Sequence, residues 1–137
     1  MTDYAAMFGR GGLNSQVDPD ALLEDIGLDG EEIAWRKDFV DFDEADVTRL
    51  RRYADRFEEQ SEDVAELFYE NVTGHEETRA VLGRSPKEIE ALKQTQQAYL
   101  VTLATGDYDE EYFRDRARIG KLHDILEMPM KQYIGQY

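Results

Sequence analysis

The stretch RIGKLHDIL, residues 118–126, is the part of the sequence that decides the fold. Apolar side chains recur at Ile119, Leu122 and Leu126, which is the three- and four-residue spacing of an amphipathic helix. His123 falls on the same side, four residues after Ile119 and three before Leu126. The pattern therefore predicts a helix that turns one of the chain's two histidines toward an apolar interior.

A histidine on an apolar stripe has two explanations. The commoner one is a core histidine whose ring nitrogens bond ordinary partners. The other is a metal ligand. A zinc site requires three or four ligands, whereas a haem supplies four nitrogens itself and accepts a single neutral imidazole. Haem is therefore the simplest answer if His123 binds a metal, and the stripe alone leaves both explanations open.

Helical spacing and start signals continue through the first half of the chain. We predict a short helix from Asp18 to Gly27 and a second one over 31–39. Asp43 is expected to cap a longer helical stretch that restarts at Ser61 and stops at Gly74, because a capping residue and a glycine mark such ends.

The second half of the chain follows the same pattern. A short segment ends near Gly83, and Ser85 followed by Pro predicts the start of a helix that runs to Gly106. Asp109 opens the last clear helix. Because no alternating run of β-branched residues occurs, the sequence predicts an all-α fold, with a flexible leader over 1–17 and one domain over 18–137.

Composition excludes several classes of protein. The net charge is −15, with 31 acidic against 16 basic residues, so we expect no nucleic-acid or anionic-membrane partner. The absence of cysteine excludes disulfides, thiolate ligands and covalent haem attachment. No apolar window is long enough for a membrane span and no signal-peptide pattern occurs, which favours a cytoplasmic protein. An acidic chain with few lysines is also typical of a halophilic source.

Other motifs in the chain have ordinary explanations. His75 begins HEETR, which lacks the second histidine of a zinc protease motif. The acidic runs DFDEAD and DYDEEY lack the glycine of a calcium loop, and GRGG lacks the G-K-[ST] of a phosphate loop. Tyr69 and Thr95 lie near apolar helix faces, where each hydroxyl either bonds the backbone or meets a ligand.

Taken together, these segments resemble the globin domain of globin-coupled sensors, the family of haem-based aerotaxis transducers and protoglobins. The resemblance rests on IGLDGEEIAWRKDFVDFDEADV (26–47), ELFYENV (66–72), VLGRS (81–85) and the long run ALKQTQQAYLVTLATGDYDEEYFRDRARIGKLHD (91–124). It closes with MPMKQYIGQY (128–137), and ARIGKLHD before a P-x-x-x-Y-x-G-x-Y ending is the most specific part. The resemblance implies a globin-like fold with a pre-globin helix.

The resemblance also implies roles for single residues. His123 matches the proximal histidine that binds the iron of haem b. Tyr69, Leu92 and Thr95 match residues of the distal side, where a hydroxyl meets bound O2, CO or NO. Tyr133 matches a tyrosine associated with the ligating histidine. Three further residues are implied to pack near the porphyrin: Phe68, Leu100 and Ile119.

What the family does is equally an expectation. The resemblance implies a non-enzymatic oxygen sensor for signalling such as aerotaxis, with an output partner that the sequence does not identify. The family continues past the Y-x-G-x-Y motif into two helices that form a homodimer contact, so we expect a C-terminally shortened domain here. A homodimer is possible, but without the helices that usually form it. Two alternatives stay open: a haem enzyme of the nitric oxide dioxygenase or peroxidase type, and a haem-free helical interaction module.

Overall fold

The computed structural model describes residues 3–135, apart from the side chains of Ala5 and Tyr133. Within that range the chain forms helices, turns and irregular segments without a β-strand, which confirms the all-α prediction. Two short 3-10 helices, Ala5–Met7 and Gly12–Gln16, precede the α-helices. The α-helices are α1 (Pro19–Ile26), α2 (Gly30–Phe39), α3 (Glu44–Arg51), α4 (Ala54–Thr73), α5 (Glu76–Leu82), α6 (Ile89–Thr105), α7 (Glu110–Ile125) and α8 (Met130–Ile134).

Aspartate side chains start four of these helices. Asp18, Asp43 and Asp109 accept hydrogen bonds from the first-turn amides of α1, α3 and α7, as the sequence predicted. Asp29 does the same for α2, where its Oδ1 lies 2.8 Å from the amide of Glu32. Because each carboxylate satisfies amides that have no partner within the helix, the start of each helix is fixed locally.

The predicted restart at Ser61 was wrong. The helical stretch breaks earlier, between Arg51 and Ala54, and α4 runs through Ser61 without interruption. The Ser61 hydroxyl donates to the carbonyl of Glu58 across 3.0 Å, and the residue is 3% exposed. A small buried side chain inside a helix and a capping serine look alike in sequence, because only the tertiary contact separates them.

The predicted start of α6 at Ser85 was also wrong. Ser85 Oγ accepts from the amide of Lys87 across 3.3 Å, but the backbone at Glu88 is extended and the helix begins at Ile89. A serine can bond an amide two residues on in a turn as readily as at a helix start. The predicted end at Gly106 is confirmed.

The pair α4 and α6 makes the most extensive helix contact. Three alanines of this pair are fully buried: Ala65 of α4, and Ala98 and Ala104 of α6. Small residues let two helix backbones approach closely, so the larger side chains beside them project away from the crossing.

Helix α7 is held from one side by the first two α-helices. Leu23, Leu28 and Ile33 form a buried cluster, against which Phe113 and Ala117 of α7 pack. Phe113 and Ala117 are four residues apart and share one face. His123 lies about 100° round α7 from the face that these two residues share, so its side of the helix stays available to line a cavity.

The segment 3–17, predicted as part of a flexible leader, contacts the helices in the structure. The 3-10 helix Ala5–Met7 contacts α6, and Gly12–Gln16 contacts α7. Phe8 is 8% exposed. The division of the chain at residue 17 stays a prediction. None of the helices in the described part of the chain has the length and apolarity of a membrane span.

Candidate functional site

A cavity of about 410 Å³ lies where the apolar faces of α4, α5, α6 and α7 meet the N-terminal segment. This volume falls within the range of about 300–1,000 Å³ that is typical of ligand and cofactor sites. Most of its wall is aliphatic or aromatic, which suits a flat apolar ligand. The fold therefore provides a cavity whose wall combines residues of the N-terminal segment with residues of the second half of the chain.

His123 lines this cavity from α7, together with Ile119, Leu122 and Leu126. Burial lowers the pKa of the His123 imidazole below its usual value, because the charged form loses its hydration. The ring is therefore neutral at neutral pH, which is the form in which an imidazole binds a metal. A neutral imidazole on an apolar wall can coordinate a metal that carries its remaining ligands with it.

A side chain from outside α7 fixes the end of the helix that carries His123. Arg84 donates from Nη1 to the carbonyl of Leu126 across 2.8 Å and to that of Glu127 across 3.3 Å. These carbonyls have no partner within the helix, so the guanidinium satisfies them and ties α7 to the segment after α5.

Helices α4 and α6 supply an aromatic and hydroxyl-bearing part of the wall. Phe68 and Tyr69 project from α4 with their rings at 75° and 5.1 Å between centroids. Leu92 and Thr95 line the cavity from α6, followed by Gln96 and Tyr99 on the same face. The Thr95 hydroxyl donates to the carbonyl of Ala91 across 3.2 Å, so in this structure it bonds its own helix.

The structure thus brings six of the eight residues named from the sequence to one cavity: Phe68, Tyr69, Leu92, Thr95, Ile119 and His123. Leu100 does not line it. Residues 92, 95, 96 and 99 share one face of α6, and Leu100 lies about 40° beyond the edge of that face at Gln96. Tyr133 belongs to α8, and its side chain lies outside the described residues.

The sequence analysis missed several residues of the wall. Phe8 comes from the N-terminal segment, Lys87 from the loop before α6, and Arg116 and Arg118 from α7. No local pattern marks the first two, because their places depend on contacts with distant parts of the chain. The sequence analysis gave the two arginines no role, although a helical wheel of α7 sets Arg118 one turn from Leu122.

His75 does not belong to this site. It precedes α5, its side chain is exposed and caps no amide of that helix, and it is not part of the cavity wall. Among residues 3–135, no group of three or more histidine, aspartate or glutamate side chains is arranged to hold a metal ion. Any metal in the cavity would thus depend on His123 and on ligands that it brings with it.

Known proteins similar to this chain fit this geometry. The Protoglobin family model matches residues 29–137. Over 121 residues the chain is 40% identical to the Heme-based aerotactic transducer HemAT of Halobacterium salinarum. The match covers 88% of this chain and 25% of that protein, so the chain spans about a quarter of the relative's length. No solved structure matches the chain. The chain therefore belongs to the protoglobin family, as an all-α, globin-like domain of the globin-coupled sensor type.

Proposed function

We propose that this domain binds haem b in the cavity, with His123 as the iron ligand, and that it senses oxygen. The observation that carries the proposal is the place of His123, a buried neutral imidazole on the wall of an apolar cavity of cofactor size. The family membership and the name of the haem-based relative support it.

The donor set fits this cofactor better than a bare metal ion. The chain has no cysteine, and no three-ligand metal cluster occurs among the described residues. A porphyrin needs one axial protein ligand, and its faces need apolar contact. Ile119 and Leu122 beside His123, with Phe68 and Leu92 elsewhere on the wall, supply that contact.

Two hydroxyl-bearing residues of the same wall are suited to oxygen recognition. Haem iron, when present, supplies a coordination position for a diatomic gas such as O2, CO or NO. Tyr69 is 9% exposed and Thr95 is half-buried, so a hydrogen bond from either one would be little weakened by water. A donor at this place favours a ligand that carries partial negative charge, which is a property of bound dioxygen more than of carbon monoxide.

The signal in this proposal is a shift between two packings of the helices. A change in the position of His123 moves α7, and α7 packs on the cluster of Leu23, Leu28 and Ile33. A change at the cavity would in this way move α1 and α2, which carry Leu23 and Ile33 of this cluster. Residues 3–135 bring no second histidine to the wall for acid–base work on peroxide, which favours a sensor over an enzyme. The homodimer and the cytoplasmic location stay predictions.

The direct test is an optical titration of the protein with haemin, oxidised, reduced, and reduced under carbon monoxide. We expect a stoichiometric Soret band that shifts under carbon monoxide and is strongly perturbed in His123→Ala. His75→Ala is the matched control, because it removes the other histidine from an exposed place outside the cavity. Equal spectra for all three proteins, or weak binding that does not saturate, would contradict the proposal.

A further inference from the structure

The cavity wall is cationic in a protein that is acidic elsewhere. Three positively charged side chains line it, Lys87, Arg116 and Arg118, against one carboxylate, Asp115. The whole chain has about two acidic residues for each basic one, 31 against 16. Positive charge beside an apolar cavity is costly unless an anion offsets it. The wall therefore carries a charge pattern that suits a ligand with its own carboxylates.

One of the three cations is already engaged. The guanidinium of Arg116 lies over the ring of Tyr112, 3.6 Å from its centroid. It also donates from Nη2 to the hydroxyl of Thr102 across 2.8 Å. A cation held over an aromatic ring and hydrogen-bonded in this way is already stabilised within the fold.

The other two cations have little compensation. Among the described residues, no carboxylate lies within salt-bridge distance of the Lys87 ammonium. Arg118 has an ion pair with Asp115 at 3.6 Å, which is longer than a hydrogen-bonded pair, and its side chain is 17% exposed. A guanidinium has five donors, so this contact leaves most of them available.

The N-terminal GRGG segment holds both side chains in place. Gly9 and Gly12 have φ of 73° and 58°, and each lies against one of the two cations. A Cβ on Gly9 would overlap the guanidinium of Arg118, and one on Gly12 would lie 3.0 Å from Cγ of Lys87. Three residues of chain span at most about 11 Å, so the two glycines, and the cations that lie against them, belong to neighbouring parts of the wall.

We propose that Lys87 and Arg118 bind the two carboxylates of the cofactor, and that Gly9 and Gly12 position these two side chains. The inference rests on the proposed haem function. It assigns the part of the cavity wall that faces the carboxylate-bearing edge of the haem. In haem b both carboxylates leave the same edge of an otherwise apolar ring. That distribution of charge matches two cations on neighbouring parts of an apolar wall.

The test compares haemin with its dimethyl ester, in which both carboxylates are masked and the ring is unchanged. The dissociation constant of each ligand is measured by optical titration. In Lys87→Met and Arg118→Met we expect haemin to bind about tenfold more weakly in each case, and the ester to bind as in the wild type. Arg118→Lys should recover part of the loss, because it keeps the charge.

Two control variants remove a positive charge elsewhere. Arg56 and Lys121 are exposed and lie outside the cavity wall, so Arg56→Met and Lys121→Met should leave both dissociation constants unchanged. Asp115→Asn should have the opposite effect and tighten haemin several-fold, because it removes a negative charge and frees Arg118.

The role of the glycines is tested by Gly9→Ala. The added methyl displaces the Arg118 guanidinium, so haemin binding should weaken while ester binding is unchanged. Gly27→Ala is the matched control, since Gly27 has φ of 69° but a Cβ there would meet no atom within 4 Å. An equal effect of both substitutions on haemin binding would overturn the positioning role.

The outcomes separate this inference from the function on which it rests. If haemin and its ester bind equally well to the wild type and to every cation variant, the carboxylate site is wrong while the haem cavity stands. If neither ligand binds in a way that depends on His123, the proposed function itself is wrong.

Discussion

The amide of Met128 donates a hydrogen bond to the backbone carbonyl of His123 across 3.1 Å. The amide of Glu127 donates to Asp124 across 2.9 Å, and together the two bonds form a Schellman ending of α7. This ending requires a left-handed residue, and Glu127 fills that place with φ of 54°. Helix α1 ends in the same way, with Gly27 at the corresponding position.

Glu127→Gly should therefore stabilise the protein. A non-glycine residue in the left-handed region costs about 1 kcal/mol or more, and glycine removes that cost. We expect the free energy of unfolding to rise by about 1 kcal/mol, measured by denaturant titration. Gly27→Ala introduces the same strain at the end of α1 and should lower the free energy of unfolding by a similar amount. A loss of stability in Glu127→Gly would contradict this account of the helix end.

The stability of the haem-free protein should rise with pH through the range in which His123 titrates. Burial lowers its pKa in the folded state, so below about pH 6.5 the unfolded chain binds more protons than the folded one. The contribution of His123 is fully present above that pH and is lost as the pH falls through the folded pKa. The loss is about 1.4 kcal/mol for each unit by which the pKa is lowered.

The measurement is the difference in free energy of unfolding between wild type and His123→Gln at several pH values. Taking the difference cancels other groups, including Asp115, whose pKa is raised by burial and which acts in the opposite direction. We expect the difference to grow in favour of the wild type between pH 5 and about pH 7. A difference that is flat with pH would show that His123 titrates equally in both states.

Thr95 gives a test of gas recognition. Thr95→Val keeps the shape of the side chain and removes the hydroxyl, so dioxygen should dissociate about tenfold faster while carbon monoxide changes little. Thr105→Val is the matched control, because the Thr105 hydroxyl also bonds its own helix, to Val101, but lies outside the cavity. An unchanged ratio of oxygen to carbon monoxide affinity would mean that the Thr95 hydroxyl stays with Ala91.

The contact between α4 and α6 should not tolerate larger side chains. Ala98 is fully buried in α6, whose most extensive contact is with α4, so Ala98→Leu overpacks its surroundings and should cost about 1–3 kcal/mol of unfolding free energy. Gln94→Leu introduces the same side chain on the exposed face of α6 and should change the free energy of unfolding by less than about 0.5 kcal/mol. Equal effects of the two substitutions would contradict the packing described for this pair.

Local chemistry explains which helix boundaries could be predicted. Asp18, Asp43 and Asp109 bond amides two or three residues away, so the sequence alone contains the whole interaction. Ser61 and Ser85 carry the same side-chain chemistry but were interpreted wrongly. Ser61 is buried inside α4, and Ser85 bonds an amide in a turn, and neither outcome is decided by neighbouring residues alone.

The candidate site was predictable to a similar extent. His123 and Ile119 share a helical stripe, and the family resemblance added Tyr69, Leu92 and Thr95, which line the same cavity. Phe8, Gly9 and Lys87 could not be found, because they reach the cavity through contacts between segments far apart in the chain. Leu100 lies only about 40° from Gln96 round α6, so a helical wheel alone does not exclude it from the cavity wall.

The coordination of iron by His123 is tested most directly by removing the imidazole and adding it back. Resonance Raman spectra of the reduced, haem-loaded protein would be recorded for wild type and for His123→Gly, without and with added imidazole. We expect an iron–imidazole stretching band in the wild type, its loss in the variant, and its return when imidazole enters the vacated space. A band that persists in His123→Gly without imidazole would contradict the account, because another residue would then hold the iron.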